Sequence, residues 1–106
     1  MWHVVFLNAT VQDEVAELPR DMQAKFAQIV RLIESLGLER IHEPYIKHVV
    51  GRLWEMRLTG RDGIARAIYV TAEGRRVVIV RAFRKKTQKT PGSEIKLALK
   101  RAKEIS

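Results

Sequence analysis

Leu53-Trp-Glu-Met-Arg-Leu-Thr-Gly-Arg-Asp-Gly-Ile-Ala-Arg-Ala-Ile-Tyr-Val-Thr-Ala-Glu-Gly-Arg-Arg-Val-Val-Ile-Val-Arg-Ala-Phe83 is the stretch that decides the fold. Three runs rich in β-branched, aromatic and aliphatic residues, Leu53–Leu58, Ile64–Thr71 and Arg75–Phe83, read as strands. Between them, Thr59-Gly-Arg-Asp-Gly63 and Ala72-Glu-Gly74 have turn composition, so the three strands form an antiparallel meander. Side chains alternate faces along a strand. Leu53, Glu55 and Arg57 therefore oppose Trp54, Met56 and Leu58, and the latter three read as core. Arg66 shares a face with Ile64 and Ile68, while Ala65, Ala67 and Tyr69 point the other way. In the last run, Arg81 and Phe83 fall with Val77 and Ile79, opposite Val78, Val80 and Ala82. Apolar residues on both faces predict a central strand covered on both sides. An arginine in such a strand needs an uncovered end or an acidic partner. Parity thus predicts that Arg57, Arg66 and Arg81 converge at one open end of the sheet, with Phe83, Arg84, Lys85 and Lys86 on its rim. At least one of the three arginines is expected to pair with Glu55 or Asp62.

Working outward, Trp2–Leu7 reads as a strand. Asn8 can cap the segment that follows, where Val11, Val15 and Leu18 recur at helical spacing. Pro19 interrupts that pattern. Met22, Phe26, Ile29, Val30, Ile33 and Leu36 then form the apolar stripe of a second helix, stopped by Gly37. Residues 9–36 are accordingly expected as a helical hairpin on one face of the sheet. Residues 38–52 show no clear period, include Pro44 and Gly51, and read as a connection. Thr90 and Pro91 form a helix-start pair, cap and first position. The closing helix places Ile95, Ala98/Leu99, Ala102 and Ile105 on one face, with Lys96, Lys100 and Lys103 elsewhere. With alanines in its stripe, docking onto the sheet is the expected role, not membrane binding. The order is β-α-α-β-β-β-α, an α+β domain spanning residues 1–106. Its sheet is expected to be four-stranded and mainly antiparallel, with the first strand at an edge or beside the last.

At 106 residues the chain is long enough for one domain with a single core. It contains no cysteine, which excludes disulfides and thiolate zinc sites. His3, His42 and His48 have no metal-ligand spacing, so neither metal nor cofactor is expected. The opening Met-Trp-His-Val-Val-Phe-Leu lacks a basic leader region and is too short a run to span a membrane; a cytoplasmic protein is expected.

The net charge of +8 is concentrated at one end. Residues 1–70 carry nine Lys/Arg against nine Asp/Glu, and residues 71–106 carry eleven against three. Much of the excess sits in Arg81-Ala-Phe-Arg-Lys-Lys-Thr-Gln-Lys-Thr-Pro91, read as a strand-to-helix connection. Self-repulsion of this kind gives the fold nothing and points to a polyanionic partner. Phe83 beside three consecutive cations suits an exposed base and its phosphates. A cleft of this kind can cleave RNA. The 2′-hydroxyl attacks the adjacent phosphate, guanidinium groups balance the charge of the phosphorane, and a lysine crowded by cations can act as base. Lys85 and Lys86, flanked by Arg84 and Lys89, are in such surroundings.

Leu53-Trp-Glu-Met-Arg57, Gly63-Ile-Ala-Arg-Ala-Ile-Tyr69 and Val80-Arg-Ala-Phe-Arg-Lys-Lys-Thr-Gln-Lys-Thr-Pro91 with Glu94 resemble motifs of the phage-derived, HigB-like branch of the RelE/ParE/HigB toxin superfamily. The resemblance covers nearly the whole chain and implies a RelE-like fold. It also implies the toxin of a type II toxin–antitoxin pair, a metal-independent messenger-RNA endoribonuclease acting in the ribosomal A site and inhibiting translation. The implied partner is an antitoxin, often a helix-turn-helix DNA-binding protein. By motif, the catalytic positions would be Arg57, Arg66, Lys85 and Lys86. Arg66 would stabilise the phosphorane, and Lys85 or Lys86 would serve as base or charge stabiliser. Phe83, Arg81, Arg84 and Lys89 would contact RNA. Two other classes share these features: a ParE-like inhibitor of DNA gyrase, and a non-catalytic RNA- or ribosome-binding module.

Overall fold

The meander forms as the alternation demands, but within a five-stranded sheet. The computed structural model describes residues 1–86 and 89–105. The elements run β1 (His3–Phe6), α1 (Ala9–Ala16), α2 (Arg20–Leu36), a 3₁₀ turn (Leu38–Arg40), β2 (Ile46–Val50), β3 (Leu53–Gly60), β4 (Gly63–Ala72), β5 (Arg76–Lys85) and α3 (Gly92–Ala102). The sheet order is β1-β5-β4-β3-β2, antiparallel except for the parallel pair of β1 and β5. The α+β class, the hairpin, the closing helix and the edge position of the first strand, beside the last, are as expected. The fifth strand corrects the reading of residues 38–52 as a connection. Only Ile46 of β2 is buried, and its register slips between His48 and Val50, so no alternation marks the strand.

The helical hairpin is built as its spacing predicts. Asn8 accepts the Val11 N–H at 3.0 Å, capping α1. Gly37, with φ of +93°, ends α2. Val11, Val15, Met22, Phe26, Ile29 and Ile33 pack on Met56, Leu58, Ala65, Ala67, Tyr69, Val77, Ile79 and Ala82. Leu36, at the end of the predicted stripe, is exposed. On the opposite face, Ala98 and Ala102 of α3 pack on Leu53, Ile68, Val70, Val78, Val80 and Phe83. Leu99 turns outward. Every residue of β4 from Ala65 to Val70 is buried, as a doubly covered central strand requires.

Two features of β5 decide where its charges go. First, the strand continues to Lys85, so Arg84 and Lys85 belong to the sheet and the connection begins only at Lys86. Secondly, Ile68 pairs with Arg81 but Tyr69 pairs with Ile79, which leaves Val80 as an extra residue. This bulge reverses the parity read from the sequence. Phe83 lies with Val78 and Val80 under α3, and Ala82 lies with Val77 and Ile79 under the hairpin.

The two helical layers are unequal. α3 has 11 residues, about 16 Å at 1.5 Å per residue, and rests over the Leu53–Val70–Val78 end of its face. It does not reach the other end of that face, where Glu55, Arg66 and Lys85 are buried and Thr90 bonds Glu55. Among the described residues no helix is long and apolar enough to cross a membrane.

The β3–β4 turn packs directly on the start of α2. Arg61 N–H donates to Asp21 Oδ2 at 2.6 Å, and a Cβ on Gly60 would lie 2.9 Å from both Asp21 carboxylate oxygens and from Met22 Cγ. Asp21 is held by its hydrogen bond and cannot swing away without losing it. Gly60→Ala is therefore expected to destabilise the fold by about 1–3 kcal/mol, the range for overpacking. Urea unfolding checks this, and an unchanged midpoint would show that α2 yields at no cost.

Candidate functional site

Strand register brings the basic residues together. Arg57 of β3 lies across from Arg66 of β4, which lies across from Phe83 of β5. Lys85 is opposite Ile64, and Lys47 of β2 is opposite Glu55. Cross-strand partners share a face, so these side chains gather at the end of the sheet that α3 does not reach. Of the sequence-predicted residues, Arg57, Arg66, Phe83 and Lys85 are united there.

The cluster holds more positive than negative charge. Arg66 Nε is 2.5 Å from Glu55 Oε2, a close charge-assisted contact. The contact is charge pairing, and the Arg66 Nη1 donates to the Ala65 carbonyl at 3.1 Å. The second Glu55 oxygen accepts the Thr90 hydroxyl at 2.6 Å. Arg66 is 2% exposed, Glu55 5% and Lys85 6%, whereas Arg57 is half-buried and Lys47 exposed. Burial pushes the Arg66 guanidinium below its usual value, against the pull of Glu55. Lys85 is lowered too, by burial first and then by the charge of Arg66, with Arg57 and Lys47 adding to it. A lysine so placed sheds its proton more readily than one in water.

Other predicted residues lie elsewhere. Arg81 does not join the cluster. It donates to both Glu94 oxygens, at 2.6 and 3.1 Å, and pairs with Glu14 at 3.0 Å. Those bonds, Glu94 first, raise its pKa. Arg101 also pairs with Glu14 at 2.9 Å and donates to the Val80 carbonyl at 2.9 Å, while Ala82 N–H donates to Glu14 at 3.1 Å. These side chains serve main-chain groups of β5 beyond the end of short β1, and they tie α1, β5 and α3 together. Arg81 remains beside the site, 5.7 Å above the Phe83 ring. Arg84, one residue from Phe83, lies on the hairpin side and donates to the Asp62 carbonyl at 3.2 Å. The rim reading is corrected for Arg84 by the two-residue period of the strand. Lys86 and Lys89 are exposed on the connection. Thr87 and Gln88 of the motif lie outside the described residues.

Arg66 takes the second of the two expected courses: it is buried and ion-paired, not placed at an uncovered end. Its partner is Glu55, one of the two carboxylates considered. Thr90 departs from expectation. α3 begins at Gly92 after Pro91 with no side-chain cap, because the Thr90 hydroxyl is spent on Glu55. Sequence reading therefore missed Thr90 as a site residue, and it missed Lys47 because β2 was not seen.

A larger cavity, about 750 Å³, opens on the hairpin side of the sheet. Trp2, Ile41, Ile46, His48, Trp54 and Tyr69 line it. Trp54 is 38% exposed and tilts against His48, so it is not the core residue its parity implied. Burial pushes the Tyr69 phenol up. Lys47 borders this cavity, but Arg57, Arg66 and Lys85 do not, and Glu39 and Glu43 lie in its wall. Among the described residues, no three His, Cys, Asp or Glu side chains gather to hold a metal ion.

The Arg66–Glu55 pair makes a test of burial. Arg66→Ala should destabilise the fold by about 3–5 kcal/mol, since it strands a buried carboxylate. Replacing both residues by methionine should recover much of that loss. Urea midpoints of the two variants check this. If the single variant is as stable as wild type, Glu55 is hydrated and the pair is not a structural element.

The family model of phage-derived proteins, Gp49-like (DUF891), matches residues 13–103. No curated protein is matched by the chain. The family match runs from α1 to the end of α3 and includes every residue of the cationic cluster, and the chain belongs to the phage-derived Gp49-like family.

Proposed function

We propose that this chain is the toxin of a type II toxin–antitoxin pair, a messenger-RNA endoribonuclease that acts in the ribosomal A site and so inhibits translation. The observation that carries the reading is the cationic cluster, in which Lys85 is buried beside Arg66 and Arg57 at the end of the sheet beyond α3. Membership of a family associated with RelE-like toxins supports it. A partner antitoxin, of the helix-turn-helix kind, belongs to the same proposal.

The residues divide the reaction between them. Lys47, Arg57, Lys86 and Lys89 are the accessible cations and receive the RNA backbone. Neutral Lys85 removes the proton of the 2′-hydroxyl, whose oxygen attacks the adjacent phosphorus. Arg57 and, from beneath, Arg66 stabilise the extra negative charge of the phosphorane. The bond to the 5′-oxygen then breaks, and that oxygen leaves with a proton from an exposed cation such as Lys86 or from water. The products are a 2′,3′-cyclic phosphate and a 5′-hydroxyl. Phe83 is 7% exposed and lies under α3, so it supports the cluster from within and does not offer an open stacking face.

The sign of the pH dependence follows from Lys85. A base must be neutral, and the Lys85 pKa is depressed from 10.5, so cleavage should rise with pH and level off below that value. Lys85→Arg, which stays protonated, should abolish the rise together with most of the rate. Arg57→Ala should cut the rate by about 10²–10³-fold, the scale for losing one oxyanion donor, with little effect on folding. The test is primer extension on messages from cells expressing wild type or variant, paired with cleavage of ribosome-bound message in vitro. Arrest of translation without new transcript ends would overturn the nuclease reading. Growth arrest with neither effect, and with inhibited gyrase, would replace it.

A further inference from the structure

We propose that Glu55 is a positioning residue of this cluster: it holds the Arg66 guanidinium beneath the phosphate site and tempers the positive charge around Lys85. The inference rests on the nuclease reading and names how its charges are arranged. Both Glu55 oxygens are engaged, one 2.5 Å from Arg66 Nε and the other 2.6 Å from the Thr90 hydroxyl. Its carboxylate charge acts on Lys85, against the cations Arg66 from β4, Arg57 from β3 and Lys47 from β2.

A guanidinium 2% exposed keeps its charge, and in a sheet without a counter-ion that charge is strongly destabilising. Glu55 supplies it, and its charge is fixed before any substrate arrives, so Arg66 needs no reorganisation during reaction. The pairing is one-sided: Arg66 Nε faces one Glu55 oxygen, and Nη1 makes one bond to a carbonyl. A guanidinium saturated by a bidentate carboxylate, as Arg81 is by Glu94, would have far less to give. Thr90 extends the same carboxylate to the segment two residues before α3, so Glu55 joins β3, β4 and the approach to the closing helix.

This arrangement has opposed electrostatic and geometric consequences. Removing the charge makes the cluster more attractive to phosphate and makes Lys85 easier to deprotonate. It also releases Arg66. A carboxylate present only for stability would change melting and nothing else. A carboxylate that merely neutralises charge would, when removed, tighten RNA binding without slowing the reaction.

The experiment uses Glu55→Gln and Glu55→Asp in the full chain. Single-turnover cleavage of ribosome-bound message is followed from pH 6 to 10, and acetylation of Lys85 by acetic anhydride is followed by mass spectrometry over the same range. For Glu55→Gln we expect kcat to fall on the order of 10²-fold, the effect of an ångström-scale misplacement, with a lower KM. The Lys85 acetylation midpoint should move to lower pH. Glu55→Asp keeps the charge, so its midpoint should stay while kcat falls. An undiminished kcat in Glu55→Gln, or an unmoved midpoint, overturns the proposal. If Glu55→Gln does not fold, Glu55→Asp decides: a fallen kcat with an unmoved midpoint supports the proposal, and an undiminished kcat or a moved midpoint overturns it. If wild type cuts no message, the nuclease reading falls by itself. The Lys85 midpoint and the affinity for a single-stranded RNA oligonucleotide then decide about Glu55: both must shift in Glu55→Gln, and if either stays the proposal is overturned.

Discussion

β5 carries one residue more than its neighbour can pair, Val80, and the basic end of the molecule is arranged around that excess. Without the slip, Phe83 and Lys85 would project into the helical hairpin, and Ala82 and Arg84 would face α3. With it, Lys85 joins Arg57 and Arg66 on the part of the sheet beyond α3, and Phe83 closes the apolar layer next to them. The bulge is held from the side. Arg101 donates to the Val80 carbonyl and Glu14 accepts from Ala82 N–H, so the two main-chain groups nearest the irregularity are satisfied by side chains of α3 and α1. Bulges next to functional sites commonly re-aim side chains in this way.

The same pairings sort the arginines by role. Glu14 and Glu94 together neutralise Arg81 and Arg101, and all four bind layers of the fold to one another. Glu55 neutralises Arg66. Arg57 and Lys47 have no carboxylate within ion-pair reach among the described residues, and they stand at the end beyond α3 with Lys85. Such an excess of like charge weakens a small domain. The large hairpin core on the opposite face, from Val11 to Ala82, offsets it. Stability and charge therefore occupy opposite faces of one sheet.

Much of this was legible in the sequence, for reasons specific to each element. The hairpin is long and strongly periodic, and Asn8 and Gly37 mark its ends by local chemistry that depends on no distant contact. Arg57 and Arg66 lie in regular stretches of β3 and β4, so their shared face follows from counting by two. β5 defeats counting because a bulge leaves no mark in the sequence Arg76–Lys85. β2 defeats it for a related reason, with a single buried residue and a register shift. Thr90 was misjudged because its local setting, a threonine before Pro-Gly, is that of a helix cap. The buried carboxylate 35 positions earlier competes for the same hydroxyl and wins. A charged group stripped of water is the stronger acceptor, and no local rule contains it.

Arg66 shows how burial alters the meaning of a motif residue. At the uncovered end of a strand it would be a free cation, replaceable at no structural cost and available to any anion. At 2% exposure beside Glu55 it is part of the core and of the cluster at once. Loss of function after Arg66→Ala would then not distinguish a lost phosphate contact from a stranded carboxylate. Arg57 lies directly across the strand pair, is half-buried, and has no carboxylate within ion-pair reach among the described residues. Its guanidinium can be removed without leaving an opposite charge behind. For that reason Arg57, not Arg66, is the arginine whose substitution reports on chemistry alone, and the buried pair is read only when both of its members are changed together.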